Sequence, residues 1–229
     1  MSASAAIAVP SVTEGNELVF GPEVFSTENI TLLQHDPFPF IVARNFLPDA
    51  LRGQIAADFP AYTRPGFFPM DDKECGPTVR AIVHNLENPA FADRLGDLLG
   101  VKNLGALPSI VTIRKWSKAT DGRIHNDGKV KVVTALLYLN ETWPDTSDGC
   151  FRALTDEQSF DHLAAPEVKP LYGYFAAFRR TDNSWHGHLP FTGERRVIQI
   201  AWLTSIEEKL RKEKRGRFTR LLKSLFTRR

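Results

Sequence analysis

The residues in this chain best suited to chemistry are two imidazoles and a carboxylate. Arg123-Ile124-His125-Asn126-Asp127 contains a His-X-Asp pair, and Asn183-Ser184-Trp185-His186-Gly187-His188 supplies further imidazoles much later in the chain. On an extended strand, residues two apart point to the same face, so His125 and Asp127 can address one centre together. The third group must then arrive from another strand. Two histidines and one carboxylate form the facial triad that holds Fe(II) on one side and leaves the opposite positions open for a cosubstrate and O₂. These donor types alone leave Mn and Zn open as well. His188 shares a strand face with His186, and periodicity does not choose between them. A lone His-X-Asp is also an ordinary pair of turn residues, so the surrounding elements have to decide.

Those elements change character along the chain. Pro37-Phe38-Pro39-Phe40-Ile41-Val42 enters a strand, with prolines at its start. Pro48 opens a helix whose apolar stripe is Leu51, Ile55 and Phe59. Asn88-Pro89 starts another, with Phe91, Leu95, Leu98 and Leu99 on its buried face and Gly100 as its stop. After Gly105 the texture turns to strands: 109–113, 130–139, 172–178 and 197–203. They are separated by Asp121-Gly122, Asp127-Gly128, Asp148-Gly149 and Thr192-Gly193. Helices followed by short strands predict an α+β, mainly β architecture. Its core is a double-stranded β-helix (a cupin-like jelly roll) supported by N-terminal helices. A guanidinium at Arg196, opening the strand Val197–Trp202, could clamp a distal carboxylate bidentately. Its neighbour Arg195 must face the other side.

The segment from Gly122 to about Leu203 resembles the catalytic core of the Fe(II)/2-oxoglutarate-dependent dioxygenases, in particular the prolyl-4-hydroxylase-like branch. The likeness rests on 121–127, on Thr134-Ala135-Leu136-Leu137-Tyr138-Leu139-Asn140 and on 178–202; 37–47 resembles the first strand of that branch. It implies that His125, Asp127 and His186 bind Fe(II), with 2-oxoglutarate and O₂ as cosubstrates. It also implies that Arg196 pairs with the 5-carboxylate of 2-oxoglutarate and that Tyr138 donates a hydrogen bond to the same group. The interval to the arginine and the Ser-Trp-His-Gly context favour His186 over His188. Counting back from Trp202 favours Arg196 over Arg195. Where many relatives carry a tyrosine before the first ligand, this chain has Lys115 and Trp116, so Trp116 is read as a wall of the pocket. Halogenating relatives lack the carboxylate ligand, and Asp127 therefore implies hydroxylation of an unactivated C–H bond or a related oxidation, with succinate and CO₂ as coproducts.

Composition frames this reading. A chain of 229 residues, 42% hydrophobic and 24% charged, can bury the core of one generous domain. Two cysteines, Cys75 and Cys150, make neither a disulfide framework nor a zinc motif, and reduced thiols are the simpler expectation. No apolar run approaches a membrane span, and the N-terminus lacks the basic start of a signal peptide, so a cytoplasmic enzyme is expected. We divide the chain into a flexible segment 1–36 with one strand near 17–20, an oxygenase domain 37–205 with its β-helix core at about 105–205, and a basic tail 206–229. The tail carries ten Lys/Arg against three Glu, a net +7, which leaves 19 Lys/Arg against 24 Asp/Glu elsewhere. Phe218, Leu221, Leu222, Leu225 and Phe226 recur at helical spacing. This basic amphipathic helix could meet a membrane surface or a protein, or pack back on the acidic body. Nucleic acid is disfavoured, since no stacking aromatics are interleaved with the charge.

Two other classes compete with the enzyme. Arg196 argues against a non-catalytic metal-binding jelly roll for sensing or partner binding, which has no need of a buried cation opposite the metal. A zinc hydrolase would want a base motif such as His-Glu-X-X-His, which the chain lacks. The substrate, whether peptidyl or a small molecule, lies in loops that the metal motif does not specify. Arg152, Arg179 and Arg180 read as ordinary salt-bridge or strand-end charges, and His35, His84 and His162 as structural or surface residues.

Overall fold

Alternation along the long strands sets the architecture of this protein, described here from a computed structural model covering residues 19–212 and 214. Twelve labelled elements position the site. They are β1 (Ile30–Gln34), β2 (Phe40–Ala43), α1 (Arg52–Asp58), β3 (Phe68–Pro69), α2 (Pro77–Leu86), α3 (Pro89–Leu99), β4 (Ser109–Ser117), β5 (Lys131–Tyr138), β6 (Arg152–Ala153), β7 (Phe175–Arg179), β8 (His186–Gly187) and β9 (Gly193–Leu203). Seven strands form one antiparallel sheet in the order β1-β2-β7-β5-β9-β4-β3.

One face of that sheet meets the helices. Ile41, Ala43, Val111, Ile113, Val133, Ala135, Leu137, Phe175, Ala177, Ile198, Ile200 and Trp202 share a core with Val79, Ile82, Leu86, Phe91, Leu95 and Leu99. The residues between them face the other way. Phe40, Val42, Leu136, Tyr138, Ala176, Phe178 and Val197 pack against Phe151, Ala153, Ala165 and Val168. Ala153 belongs to a short second sheet, in which β6 pairs with β8, and the other three flank it. Bridges at His125–His186, Phe151–Val168 and Leu154–Leu163 extend it. The two sheets together are the expected double-stranded β-helix.

Local chemistry explains the supporting helices. Asn88 caps α3, its Oδ1 accepting from the backbone N–H of Ala90 at 2.9 Å and of Phe91 at 3.4 Å, and Gly100 ends it with φ +70°. Pro48 precedes a 3₁₀ turn, Asp49–Leu51, that feeds α1. Leu51, Ile55 and Phe59 are buried, as their spacing predicts. Helix α2 has no counterpart in the sequence reading.

The N-terminal boundary needs correction. Residues 1–18 lie outside the described residues, but 19–25 packs into the core through Phe20, Val24 and Phe25, and 30–34 adds an edge strand to the sheet. Phe20 packs edge-on to Phe46 at 4.9 Å, Phe25 to Phe175 at 5.6 Å, and Phe46 stacks on Phe175 at 4.3 Å. Each such pair contributes about 0.5–1.5 kcal/mol beyond its burial, enough to fix a segment with no periodicity of its own. The strand in this region is β1 at Ile30–Gln34, with no strand at 19–20. At the other end, 206–212 is helical. The apolar stripe from Phe218 to Phe226 lies outside the described residues. Among the described residues no helix is long and apolar enough to cross a membrane. Both cysteines are buried free thiols.

Candidate metal centre

Hydrogen bonding of the short sheet brings the two histidines together. His125 and His186 are direct partners in an antiparallel bridge, each N–H donating to the other's carbonyl at 3.0 Å. Directly opposed residues point to the same face. The two rings accordingly lie 4.3 Å apart, centroid to centroid. Asp127 follows two residues later, and one ligand atom from each of His125, Asp127 and His186 falls within 4.8 Å of the others.

The neighbours of these side chains set them up as ligands. His125 Nδ1 lies 2.8 Å from the carbonyl of Arg123, and His186 Nδ1 lies 2.9 Å from that of Ser184. A carbonyl only accepts, so each Nδ1 carries the proton and each Nε2 keeps a lone pair. Asp127 Oδ2 accepts from Thr134 Oγ1 at 2.6 Å, and Oδ1 accepts from Lys131 Nζ at 2.7 Å. Burial pushes the Asp127 carboxyl up, but the Lys131 ammonium, His186 and the two hydrogen bonds outweigh it and hold the pKa at about 2. Burial pulls His186 down to about 4 against the opposing influence of Asp127. An anionic carboxylate and a neutral imidazole are the states that coordinate a cation. The donor set therefore fits a divalent metal such as Fe(II). Thr134 holds the carboxylate in place, and Thr134→Val is expected to weaken Fe(II) binding roughly 10–100-fold with the fold retained. Anaerobic metal titration alongside thermal unfolding measures both.

The triad lines a cavity of about 320 Å³, together with Phe67, Arg114, Lys131, Thr134, Phe178, His188, Arg195 and Gln199 among others. Here the sequence reading is corrected at its arginine. Arg195, not Arg196, faces this cavity. It is 3% exposed, its Nε donates to Gly149 O at 2.8 Å, and its Nη2 lies 3.5 Å from Tyr138 Oη. Arg196 is on the opposite side of β9, where Nε donates to Glu194 at 2.6 Å and the guanidinium lies over Phe59. It borders a separate groove with Trp143 and Phe191. The reason is the two-residue period of β9: Arg195, Val197 and Gln199 face inward, whereas Ile198, Ile200 and Trp202 meet the helices.

The other expected residues divide. Tyr138 is fully buried beside Arg195. Trp116 does not line the cavity: the β4–β9 register shifts between Arg114 and Trp116, and the indole N–H donates to Tyr62 O at 2.6 Å. His188 does line it, but its ring packs on Gly122 and its Nδ1 bonds to Leu189 O at 2.8 Å. It falls outside the cluster formed by His125, Asp127 and His186. Gly122 has φ +78°, and a Cβ there would sit 2.3 Å from the His188 ring, so only glycine fits this turn. Arg152 makes an ordinary ion pair, its Nε and Nη2 donating to Glu167 Oε2 at 3.0 and 2.9 Å.

Arg114, Lys131 and Thr134 were missed as site residues. Arg114 had a signal: a lone arginine following Val111-Thr112-Ile113 in an apolar strand, in phase with the inward positions.

Comparison with known proteins agrees with this geometry. Residues 114–204 match the profile of the 2OG-Fe(II) oxygenase superfamily. The structure is similar to a Pseudomonas putida prolyl-4-hydroxylase, with 21% identity, 72% of this chain and 91% of that one covered, and a TM-score of 0.52. It is also similar to the viral collagen prolyl hydroxylase of Paramecium bursaria Chlorella virus-1, at 13% identity, 73% and 96% coverage and a TM-score of 0.49. The Pseudomonas likeness establishes the fold. No curated protein sequence matches the chain.

Proposed function

We propose, from the match of residues 114–204 to the 2OG-Fe(II) oxygenase superfamily, that the protein hydroxylates an unactivated C–H bond and couples this to conversion of 2-oxoglutarate to succinate and CO₂. The family implies Fe(II), 2-oxoglutarate and O₂. One observation carries the reading: His125, Asp127 and His186 converge in a cavity that also holds a buried arginine, Arg195.

In this proposal His125 Nε2, His186 Nε2 and the Asp127 carboxylate hold the iron. When bound, iron with its cosubstrates supplies the oxidising power for C–H cleavage. The chain's own share is positioning. The carbonyls of Arg123 and Ser184 fix the imidazole tautomers, and Thr134 and Lys131 fix the carboxylate. Arg195 keeps guanidinium donors for the distal carboxylate of 2-oxoglutarate, and the buried Tyr138 hydroxyl behind it, outside the cavity lining, steadies its position. Phe151 and Phe178 pack on His186, with ring centroids 5.7 and 4.4 Å away, and keep water from that ligand.

The substrate we propose is a peptidyl, including prolyl, residue or a small molecule. One solved structure that shares the fold, at 21% identity, is a prolyl-4-hydroxylase, and hydroxylation is the outcome this likeness suggests. A succinate-release screen over amino acids, proline-containing peptides and cell extracts tests this, with Asp127→Ala as control. Release that needs Fe(II), 2-oxoglutarate and one added substrate is the expected result. Release that Asp127→Ala retains would overturn it.

A further inference from the structure

Arg114 is a second guanidinium in the cavity, and nothing above uses it. It lies on β4 opposite Val197 of β9, and Arg195 is two residues further along β9. The two arginines are therefore diagonal neighbours on the inner face, within reach of one another for long side chains. Arg114 is 7% exposed. Its Nη1 donates to Ser117 Oγ at 3.2 Å, its Nη2 lies 3.5 Å from Asp121 Oδ2, and its guanidinium stacks 4.2 Å from the Phe67 ring. Its Nε is buried with no hydrogen-bond partner among the described residues, and the same is true of His188 Nε2 in the same cavity.

Charge balance makes this arrangement informative. Two guanidiniums share one wall, and the one ion pair that either makes among the described residues is that of Arg114 with Asp121. Burial and then repulsion from Arg195 lower the Arg114 pKa to about 10, which leaves it a cation at neutral pH. Like charges held together away from water destabilise a protein unless an anion joins them. A single incoming carboxylate brings two arginines and one aspartate to neutrality. It also offers an acceptor to the unpaired Nε, since a buried donor without a partner is costly.

We infer that Arg114 and Arg195 grip the distal carboxylate of 2-oxoglutarate together, so that Arg114 is a second residue positioning the cosubstrate. This rests on the reading of the cavity as the 2-oxoglutarate site. The chemistry selects a dicarboxylate: a 2-oxo acid lacking the far carboxylate leaves one of the two positive charges without a counterion. Asp121, in the loop leading to His125, then also ties cosubstrate binding to the segment that carries the first ligand.

Calorimetric titration of the Fe(II)-loaded full chain, without O₂, tests the inference. The ligands are 2-oxoglutarate and pyruvate, which keeps the 2-oxo acid and lacks the distal carboxylate. In Arg114→Gln the 2-oxoglutarate Kd is expected to rise at least about tenfold, the size of one charge-assisted hydrogen bond, with the pyruvate Kd unchanged. Arg114→Lys keeps the charge and loses the fork, so a smaller rise confined to 2-oxoglutarate is expected. This variant decides the matter if Arg114→Gln fails to fold. An unchanged 2-oxoglutarate Kd, or an equal loss for both acids, overturns the inference and leaves the iron site standing. Wild-type protein that binds iron but neither acid overturns the inference together with the reading beneath it.

Discussion

His125→Ala and Asp127→Ala are each expected to abolish succinate release and to weaken Fe(II) binding by more than about 100-fold. Substitutions that only disturb the partners of a metal ligand already cost 10–100-fold, and these remove the ligand itself. The two variants should differ in stability, which makes the experiment more than a knockout. His125 is exposed, and its loss is expected to change unfolding free energy by no more than about 0.5 kcal/mol. Asp127 is buried and paired with Lys131 Nζ at 2.7 Å and Thr134 Oγ1 at 2.6 Å. Removing it leaves an ammonium and a hydroxyl without their acceptor, at a cost of about 1–3 kcal/mol. Urea unfolding of the metal-free proteins reads this difference directly. Equal stability of the two variants would mean that the Lys131–Asp127 pair is not held as described.

The second large effect separates two adjacent arginines. Arg195→Gln is expected to raise the Kd for 2-oxoglutarate about 100-fold, equivalent to about 3 kcal/mol or two charge-assisted hydrogen bonds. Arg196→Gln should leave it within twofold of wild type, because that guanidinium pairs with Glu194 on the far side of the sheet. Equilibrium titration on the iron-loaded protein measures both. A loss in Arg196→Gln with Arg195→Gln unaffected would require β9 to turn over by one residue. That change would bury Glu194 in the cavity and expose Val197, which is now fully buried.

How far the sequence reached can be judged from particular residues. His125, Asp127 and His186 were legible because strand periodicity and ligand chemistry are both local properties. The β-rich second half and the cap of α3 were legible for the same reason. Arg195 against Arg196 was not. A single-residue choice on a strand depends on which face packs against the helices, and the buried run Ile198, Ile200 and Trp202 holds that answer. Counting inward from those residues would have assigned Arg195 to the cavity. Trp116 was misplaced by a register shift, which no alternation pattern reveals. The segment carrying Phe20 and Phe25 was read as flexible because its stabilisation comes from distant rings, Phe46, Phe91 and Phe175. Arg114, Lys131 and Thr134 were overlooked because their partners, Asp121 and Asp127, become neighbours only through the chain's turns.

The central claim is that three side chains hold one Fe(II) to which 2-oxoglutarate then binds. Anaerobic titration of the metal-free protein with Fe(II), followed by 2-oxoglutarate, tests it most directly. We predict one equivalent of iron bound, a visible charge-transfer band that appears on adding 2-oxoglutarate, and loss of both in His186→Ala. Iron taken up equally well by His186→Ala, or a wild-type complex that stays colourless at saturating 2-oxoglutarate, would contradict it.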